Sequence, residues 1–225
     1  GRTPLGDSIR DQLARRGDPV RAKGAQAYMK SEMPFRGVDA RGQREIHRAC
    51  LKQHPVRSID ELRNATLDLW DRAEYREERY AAQEILKKYS KFLDISDRTL
   101  LRHIIITGAW WDYVDFVAKW VVGDLLKRYP EEMKQELMEW IEDEDLWIRR
   151  AAILAQLSFK DKTDTQLLFN FCDRCLEETT FWMRKAIGWA LREYSKTNPG
   201  KVRQFIAKNR DRMAGLTLRE ASKYV

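Results

Sequence analysis

Apolar residues recur along the whole chain at the three- and four-residue spacing of amphipathic helices. No stretch shows the alternation of apolar and polar residues that is typical of a half-buried strand. Turn signals separate stretches of ordinary helix length at Gly17-Asp18-Pro19, His54-Pro55, Tyr129-Pro130 and Thr197-Asn198-Pro199-Gly200. The pattern predicts an all-α protein of roughly ten to twelve helices.

Several predicted helices end in a similar way, which indicates an internal repeat. The similar ends are Leu86-Lys87-Lys88-Tyr89, Leu126-Lys127-Arg128-Tyr129, a weaker Leu157-Ser158-Phe159-Lys160, and Leu191-Arg192-Glu193-Tyr194. Their first residues are 40, 31 and 34 positions apart, near the period of two-helix solenoid repeats such as HEAT. We therefore predict an α-α superhelix, a HEAT-like solenoid with a concave face. No linker suggests a second domain, so residues 1–225 are predicted to form one.

The composition favours a folded cytoplasmic protein. Hydrophobic residues make up 43% and charged residues 34% of the chain, with only 11 Gly and 6 Pro. No apolar run reaches the roughly 18 residues that cross a bilayer, and the first residues lack the apolar stretch of a signal peptide. Three cysteines cannot form a paired disulfide framework. We expect no membrane association and a location in the cytoplasm, in the bacterial cytosol or nucleoid.

The net charge of +7 is unevenly distributed. Residues 1–57 and residues 181–212 each carry +7, whereas residues 58–180 carry −8. Two separated basic regions of a folded array can hold one elongated anion at two places, and nucleic acid is the natural candidate.

A helix predicted over residues 107–120 carries the first candidate chemistry. Its core stripe consists of Trp110, Val114, Val117 and Val121. Trp111 and Asp115 lie together on its flank, one turn apart. An indole beside a carboxylate can offer a ring face and a negative charge to a developing carbocation. The alternative is structural, with Trp111 packed on the next repeat and Asp115 capping or ion-paired, and this helix alone favours the alternative.

The helix predicted over residues 183–196 carries the second candidate surface. Its apolar face consists of Met183, Ala186, Ile187, Ala190, Leu191 and Tyr194. Trp189 points away from that face and shares its side with Lys185, Arg192 and Lys196. An aromatic ring among cations is typical of a nucleic-acid surface. A solvated basic face, or packing against a neighbouring helix, explains the pattern equally well.

Arg150 lies on an apolar helix face and therefore requires an anion. Either an acidic side chain such as Asp115 or Asp112 supplies it within the protein, or a phosphate does. The residues alone slightly favour the internal pair.

The remaining motifs carry little chemistry. Cys172-Asp173-Arg174-Cys175 has the spacing of half a zinc site, but no second half follows at a metal-binding spacing. A glycine-rich phosphate loop and the common hydrolase motifs are absent from the sequence. We expect no metal, no nucleotide and no other cofactor.

Three motifs together resemble the AlkD family of DNA alkylpurine glycosylases. They are Ala109-Trp110-Trp111-Asp112-Tyr113-Val114-Asp115, Trp147-Ile148-Arg149-Arg150-Ala151-Ala152-Ile153-Leu154, and Lys185-Ala186-Ile187-Gly188-Trp189-Ala190-Leu191-Arg192-Glu193-Tyr194. The segments Ala27-Tyr28-Met29-Lys30 and Phe35-Arg36-Gly37-Val38 are similar to that family too. The resemblance implies a HEAT-like solenoid that wraps duplex DNA along its concave face and removes purines alkylated at N3 or N7.

The resemblance also implies the roles of individual residues. The catalytic aspartate is Asp115, and the active-site tryptophans are Trp111 and Trp189. The phosphate-contacting arginines are Arg150 and Arg192. For Arg150, the resemblance thus favours a phosphate over the internal ion pair. Lys185 and Tyr28 are expected to join them in DNA binding, and the protein is expected to act as a monomer on alkylated duplex DNA.

Two other functions compete with the glycosylase. A HEAT-like module could bind DNA without catalysis, although Asp115 speaks against it. An α-solenoid scaffold could instead bind an acidic protein through its basic ends, with Trp189 as an interface hot spot.

Overall fold

The computed structural model describes residues 1–225, and their contacts group them into two compact units, Gly1–Leu93 and Asp94–Val225. Both units consist of helices and turns without a β-strand, which confirms the predicted all-α class. No helix combines the length and the apolar character needed to span a membrane. The single domain remains a prediction.

The first unit contains five α-helices. They are α1 (Pro4–Arg15), α2 (Pro19–Met29), α3 (Ala40–Gln53), α4 (Ile59–Asp71) and α5 (Arg76–Lys88), followed by a 3-10 turn (Ser90–Phe92). Helix α1 packs against α3, α4 and α5, and these four helices bury an apolar core. Helix α2 buries only Met29. It is held at its start, where the Asp18 N–H donates to the Arg36 carbonyl at 2.9 Å.

A buried carboxylate fixes the loop that holds α2. Glu77 of α5 is fully buried and accepts hydrogen bonds from the backbone N–H groups of Arg36, Gly37 and Val38 at 2.8 to 3.2 Å. Gly37 has a φ of +89°, and a Cβ there would lie 2.0 Å from the Asp18 carbonyl oxygen. A side chain at position 37 is therefore excluded both by the backbone conformation and by the close approach.

The second unit contains nine α-helices. They are α6 (Arg98–Gly108), α7 (Trp111–Val117), α8 (Gly123–Arg128), α9 (Pro130–Trp140), α10 (Leu146–Leu154), α11 (Thr165–Cys175), α12 (Phe181–Ser195), α13 (Pro199–Asn209) and α14 (Gly215–Ala221). A π-helical turn over Ala118–Val122 joins α7 to α8 without interruption. Helix α10 packs against both α7 and α12, and α14 packs along α12.

All four predicted turn signals lie at helix ends. Pro19, Pro130 and Pro199 each begin a helix, where a residue without an N–H leaves no hydrogen bond unmade. Helix α3 ends at Gln53, directly before His54-Pro55. The helix predicted over residues 107–120 is wrong at its start, because α6 ends at Gly108 and α7 begins only at Trp111.

A buried histidine makes the stability of the first unit depend on pH. His47 on α3 is 9% exposed, and its Nε2 atom has no hydrogen-bond partner. Burial lowers the pKa of His47 from 6.5 to about 4. As the pH falls below 6.5 the unfolded chain binds a proton there first, so this contribution is complete above pH 6.5 and is lost between pH 6.5 and 4.

We expect the free energy of unfolding to fall by about 2 kcal/mol more between pH 7 and pH 5 in the wild type than in His47→Gln, which cannot be protonated. Urea unfolding of both proteins at the two pH values measures the difference. Equal losses in the two proteins would show that His47 is not protonated on unfolding.

Candidate active site

A residue in the left-handed backbone conformation precedes Trp110 and Trp111 at the start of α7. Ala109 has a φ of 48° and directly follows the last residue of α6, and its N–H donates to the Ile105 carbonyl at 3.0 Å. Trp110 follows in an extended conformation, so that Trp111 is the first residue of α7. Asp115 lies one turn later on the same helix. Trp111 and Asp115 are both half-buried, as predicted for the flank.

The carboxylate of Asp115 is held by Arg150 of α10. Arg150 Nε lies 2.8 Å from Oδ1 and Nη2 lies 2.9 Å from Oδ2, which is a two-pronged ion pair. The third arm, Nη1, donates to the Trp182 carbonyl. Arg150 is only 3% exposed. The structure therefore contains the internal pair that the residues alone favoured, and a phosphate contact by Arg150 remains a prediction.

Opposing effects act on the pKa of Asp115. Burial raises it above the usual aspartate value, and the neighbouring Asp112 raises it further. The hydrogen bonds and the charge of Arg150 lower it, but they do not offset the burial. Asp115 therefore takes up a proton at a higher pH than an ordinary aspartate, and Arg150 limits how far that pH rises.

Three tryptophans form a cluster next to the ion pair of Asp115 and Arg150. The ring of Trp182 packs against Trp110 at 5.1 Å and against Trp147 at 5.4 Å, between ring centres. Since the carbonyl of Trp182 accepts from Arg150, this packing holds the arginine's third contact in place. The sequence does not predict this cluster, because it indicates Trp110 only as part of a core stripe and Trp147 only as part of a motif, and it does not single out Trp182. Their spacing of 37 and 35 positions is near the repeat period and could have revealed the cluster.

Helix α12 matches its predicted faces. All six residues predicted for its apolar face are buried, while Trp189, Lys185 and Arg192 are half-buried on the other side. The two cations are engaged within the protein, because both pair with Glu220 of α14. Glu220 was not predicted, since α14 is short and carries no candidate motif. Lys196 pairs separately with Glu193.

The remaining candidate residues are Tyr28, Cys172 and Cys175. Tyr28 is on α2 of the first unit and is 76% exposed. Cys172 and Cys175 are buried in α11, and burial raises the pKa of both thiols. Within the second unit, the structure thus joins Asp115 to Arg150, and Lys185 to Arg192 through Glu220.

Comparison with protein families gives a match to the DNA alkylation repair enzymes over residues 9–225. This chain belongs to the DNA alkylation repair enzyme family. Membership assigns the protein to alkylation repair, with DNA as its partner, and confirms at this level the resemblance of its motifs.

A solved structure of a predicted DNA alkylation repair enzyme from Enterococcus faecalis is similar to this repair protein. The two are 28% identical over 93% of this chain and 97% of the other, with a TM-score of 0.85. No curated protein matches the chain.

Proposed function

We propose that this repair protein is a DNA glycosylase that hydrolyses the N-glycosidic bond of purines alkylated at N3 or N7 in duplex DNA. The observation that carries the proposal is the carboxylate of Asp115, held by two hydrogen bonds from Arg150 and one turn from Trp111 on α7. A fixed negative charge beside an aromatic ring suits a reaction in which positive charge develops on a sugar.

The chemistry needs little acid catalysis. A purine alkylated at N3 or N7 is positively charged, so it leaves as a neutral base when the bond to C1′ breaks and its electron pair moves to the purine nitrogen. The deoxyribose then carries positive charge shared between C1′ and the ring oxygen. Asp115 stabilises that charge, and a water molecule attacks C1′ and releases a proton.

The tryptophans act on the sugar rather than on a particular base. The ring faces of Trp111 and Trp189 stabilise the cationic deoxyribose from the side. Since no purine-specific pocket is required for this, bulky alkyl groups are tolerated. A metal or organic cofactor has no role in the proposed reaction.

Lys185 and Arg192 are the proposed phosphate ligands of the second unit, and Tyr28 is separately proposed to contact DNA from the first unit. We expect Lys185→Ala and Arg192→Ala each to weaken binding similarly across DNA sequences. Each is also expected to reduce the slope of log affinity against log salt concentration by about one unit, because one phosphate contact is lost. Duplex titrations at several salt concentrations measure both effects. Lys162→Ala is the control, since Lys162 lies outside the two basic regions of the sequence, is exposed and has no ion pair. Salt-independent binding, or loss of binding to one sequence only, would contradict these phosphate contacts.

The decisive experiment is incubation with duplex DNA methylated at guanine N7, followed by detection of free 7-methylguanine. The glycosylase binds duplex DNA in a salt-sensitive way and releases free base. A HEAT-like binding module would bind without release, and a protein scaffold would do neither. Binding without release would overturn the proposal.

A further inference from the structure

Both proposed phosphate ligands on α12 point at one carboxylate of α14. Lys185 Nζ lies 2.9 Å from Glu220 Oε1, and Arg192 Nη1 lies 3.1 Å from Oε2. The two cations are seven residues apart, two turns along α12, so Glu220 bridges them. A single carboxylate thus accepts the hydrogen bonds that a backbone phosphate would accept.

The packing of α14 against α12 fixes the position of Glu220. Its side chain is 16% exposed, and a Cβ added at Gly188 would lie 2.6 Å from its own Cβ. The close approach of α14 to α12 therefore requires glycine at 188. Two buried neighbours on α14 support it, because Ala221 is fully buried and the Thr217 hydroxyl donates to the Arg184 carbonyl at 3.1 Å.

The side chain of Glu220 is ionised at neutral pH. Hydrogen bonding to Lys185 holds the pKa of Glu220 below its usual value, and the charges of Lys185 and Arg192 lower it further. A phosphate that approaches the two cations consequently meets an ionised carboxylate. Since two anions repel at such distances, the phosphate cannot simply add to the pair.

We propose that Glu220 occupies the place of a DNA backbone phosphate and that a phosphate replaces it when duplex DNA binds. Glu220 thereby limits the affinity for all duplexes, damaged or not, and keeps the protein from remaining bound to undamaged DNA. This inference rests on the proposed function, because it takes Lys185 and Arg192 to be phosphate ligands.

The test is the affinity of Glu220→Gln for an undamaged duplex, measured by fluorescence anisotropy at several salt concentrations. Without the carboxylate charge both cations are free for phosphate, so we expect binding about 3- to 10-fold tighter and a salt slope steeper by about one. Glu220→Ala is a second variant, since alanine favours the helix and keeps the Cβ that packs on Gly188. The melting temperature of each variant reports whether it is folded.

Glu177→Gln is the matched control. Glu177 pairs with Arg212 at 2.8 Å, and its removal changes the net charge equally without touching Lys185 or Arg192. We expect its affinity for the duplex to stay within about twofold of the wild type. If Glu177→Gln bound the duplex as tightly as Glu220→Gln does, the change in net charge alone would explain the effect, and the inference would be overturned.

A double-mutant cycle tests whether Glu220 acts through the two cations. In a Lys185→Met, Arg192→Met background, Glu220→Gln is expected to change affinity less than about twofold. Unchanged or weaker binding by folded Glu220→Gln and Glu220→Ala would overturn the inference while leaving the proposed function intact. Absence of duplex binding by the wild type would overturn the proposed function itself, and this inference with it.

Discussion

Replacement of Asp115 by asparagine is expected to lower the rate of base excision by about 10²-fold or more. Asparagine keeps the shape of the side chain but removes the negative charge that would face the cationic sugar. The affinity for DNA is expected to stay unchanged or to rise, because a carboxylate near phosphates repels them. The measurement is single-turnover release of 7-methylguanine at saturating protein, with affinity determined separately.

Two variants serve as comparisons for Asp115→Asn. Trp111→Ala and Trp189→Ala are expected to slow excision less, because a ring face contributes only about 0.5 to 2 kcal/mol to a neighbouring positive charge. Since Asp115→Asn leaves Arg150 buried without a counter-charge, the melting temperature must show that the variant is folded at the assay temperature. A folded Asp115→Asn protein that excises at the wild-type rate would remove Asp115 from the mechanism.

The sequence predicts helices and their faces well where the apolar pattern is long and regular. The α12 pattern correctly predicts its buried face and the position of Trp189 outside that face. Three prolines correctly mark helix starts, because proline is favoured at the first helical position. These features are local, and local residues determine them.

The errors arise where local preference is overruled. The break before α7 depends on Ala109 in the left-handed region, a conformation that alanine rarely adopts and that no residue pattern indicates. The predicted flank position of Trp111 and Asp115 is nevertheless correct, because both are half-buried in α7 while Val114 and Val117 of the same helix are buried.

The partners of the candidate charges could be predicted only in part. Arg150 requires an anion because its neighbours are apolar, which correctly favoured a nearby aspartate such as Asp115. The family resemblance pointed instead to a phosphate. Glu220 could not be predicted, because it lies 28 residues beyond Arg192 on a seven-residue helix. Only the packing of α14 against Gly188 brings it to the two cations.

Arg150→Met is expected to destabilise the protein by roughly 3 to 5 kcal/mol at neutral pH, because the carboxylate of Asp115 is left half-buried without its partner. The loss shrinks at lower pH, where Asp115 becomes protonated and no uncompensated charge remains. Urea unfolding at pH 5 and pH 7.5 measures the loss. Adding Asp115→Asn to Arg150→Met removes the buried charge, so the double variant is expected to be less destabilised than the sum of the two single variants.

The Arg150→Met variant also distinguishes a role of Arg150 in positioning Asp115 from a phosphate contact by Arg150. If Arg150 positions Asp115, the pKa of Asp115 rises further in Arg150→Met, so the pH below which excision slows is expected to move upward, while the salt slope of duplex binding stays unchanged. Single-turnover rates across a pH series, with affinities at several salt concentrations, measure both. Arg150→Lys keeps the charge but loses the two-pronged geometry, and its pH profile is expected to shift less. If Arg150 binds a phosphate of the duplex instead, Arg150→Met will weaken binding and reduce the salt slope by about one, with no shift in the pH profile.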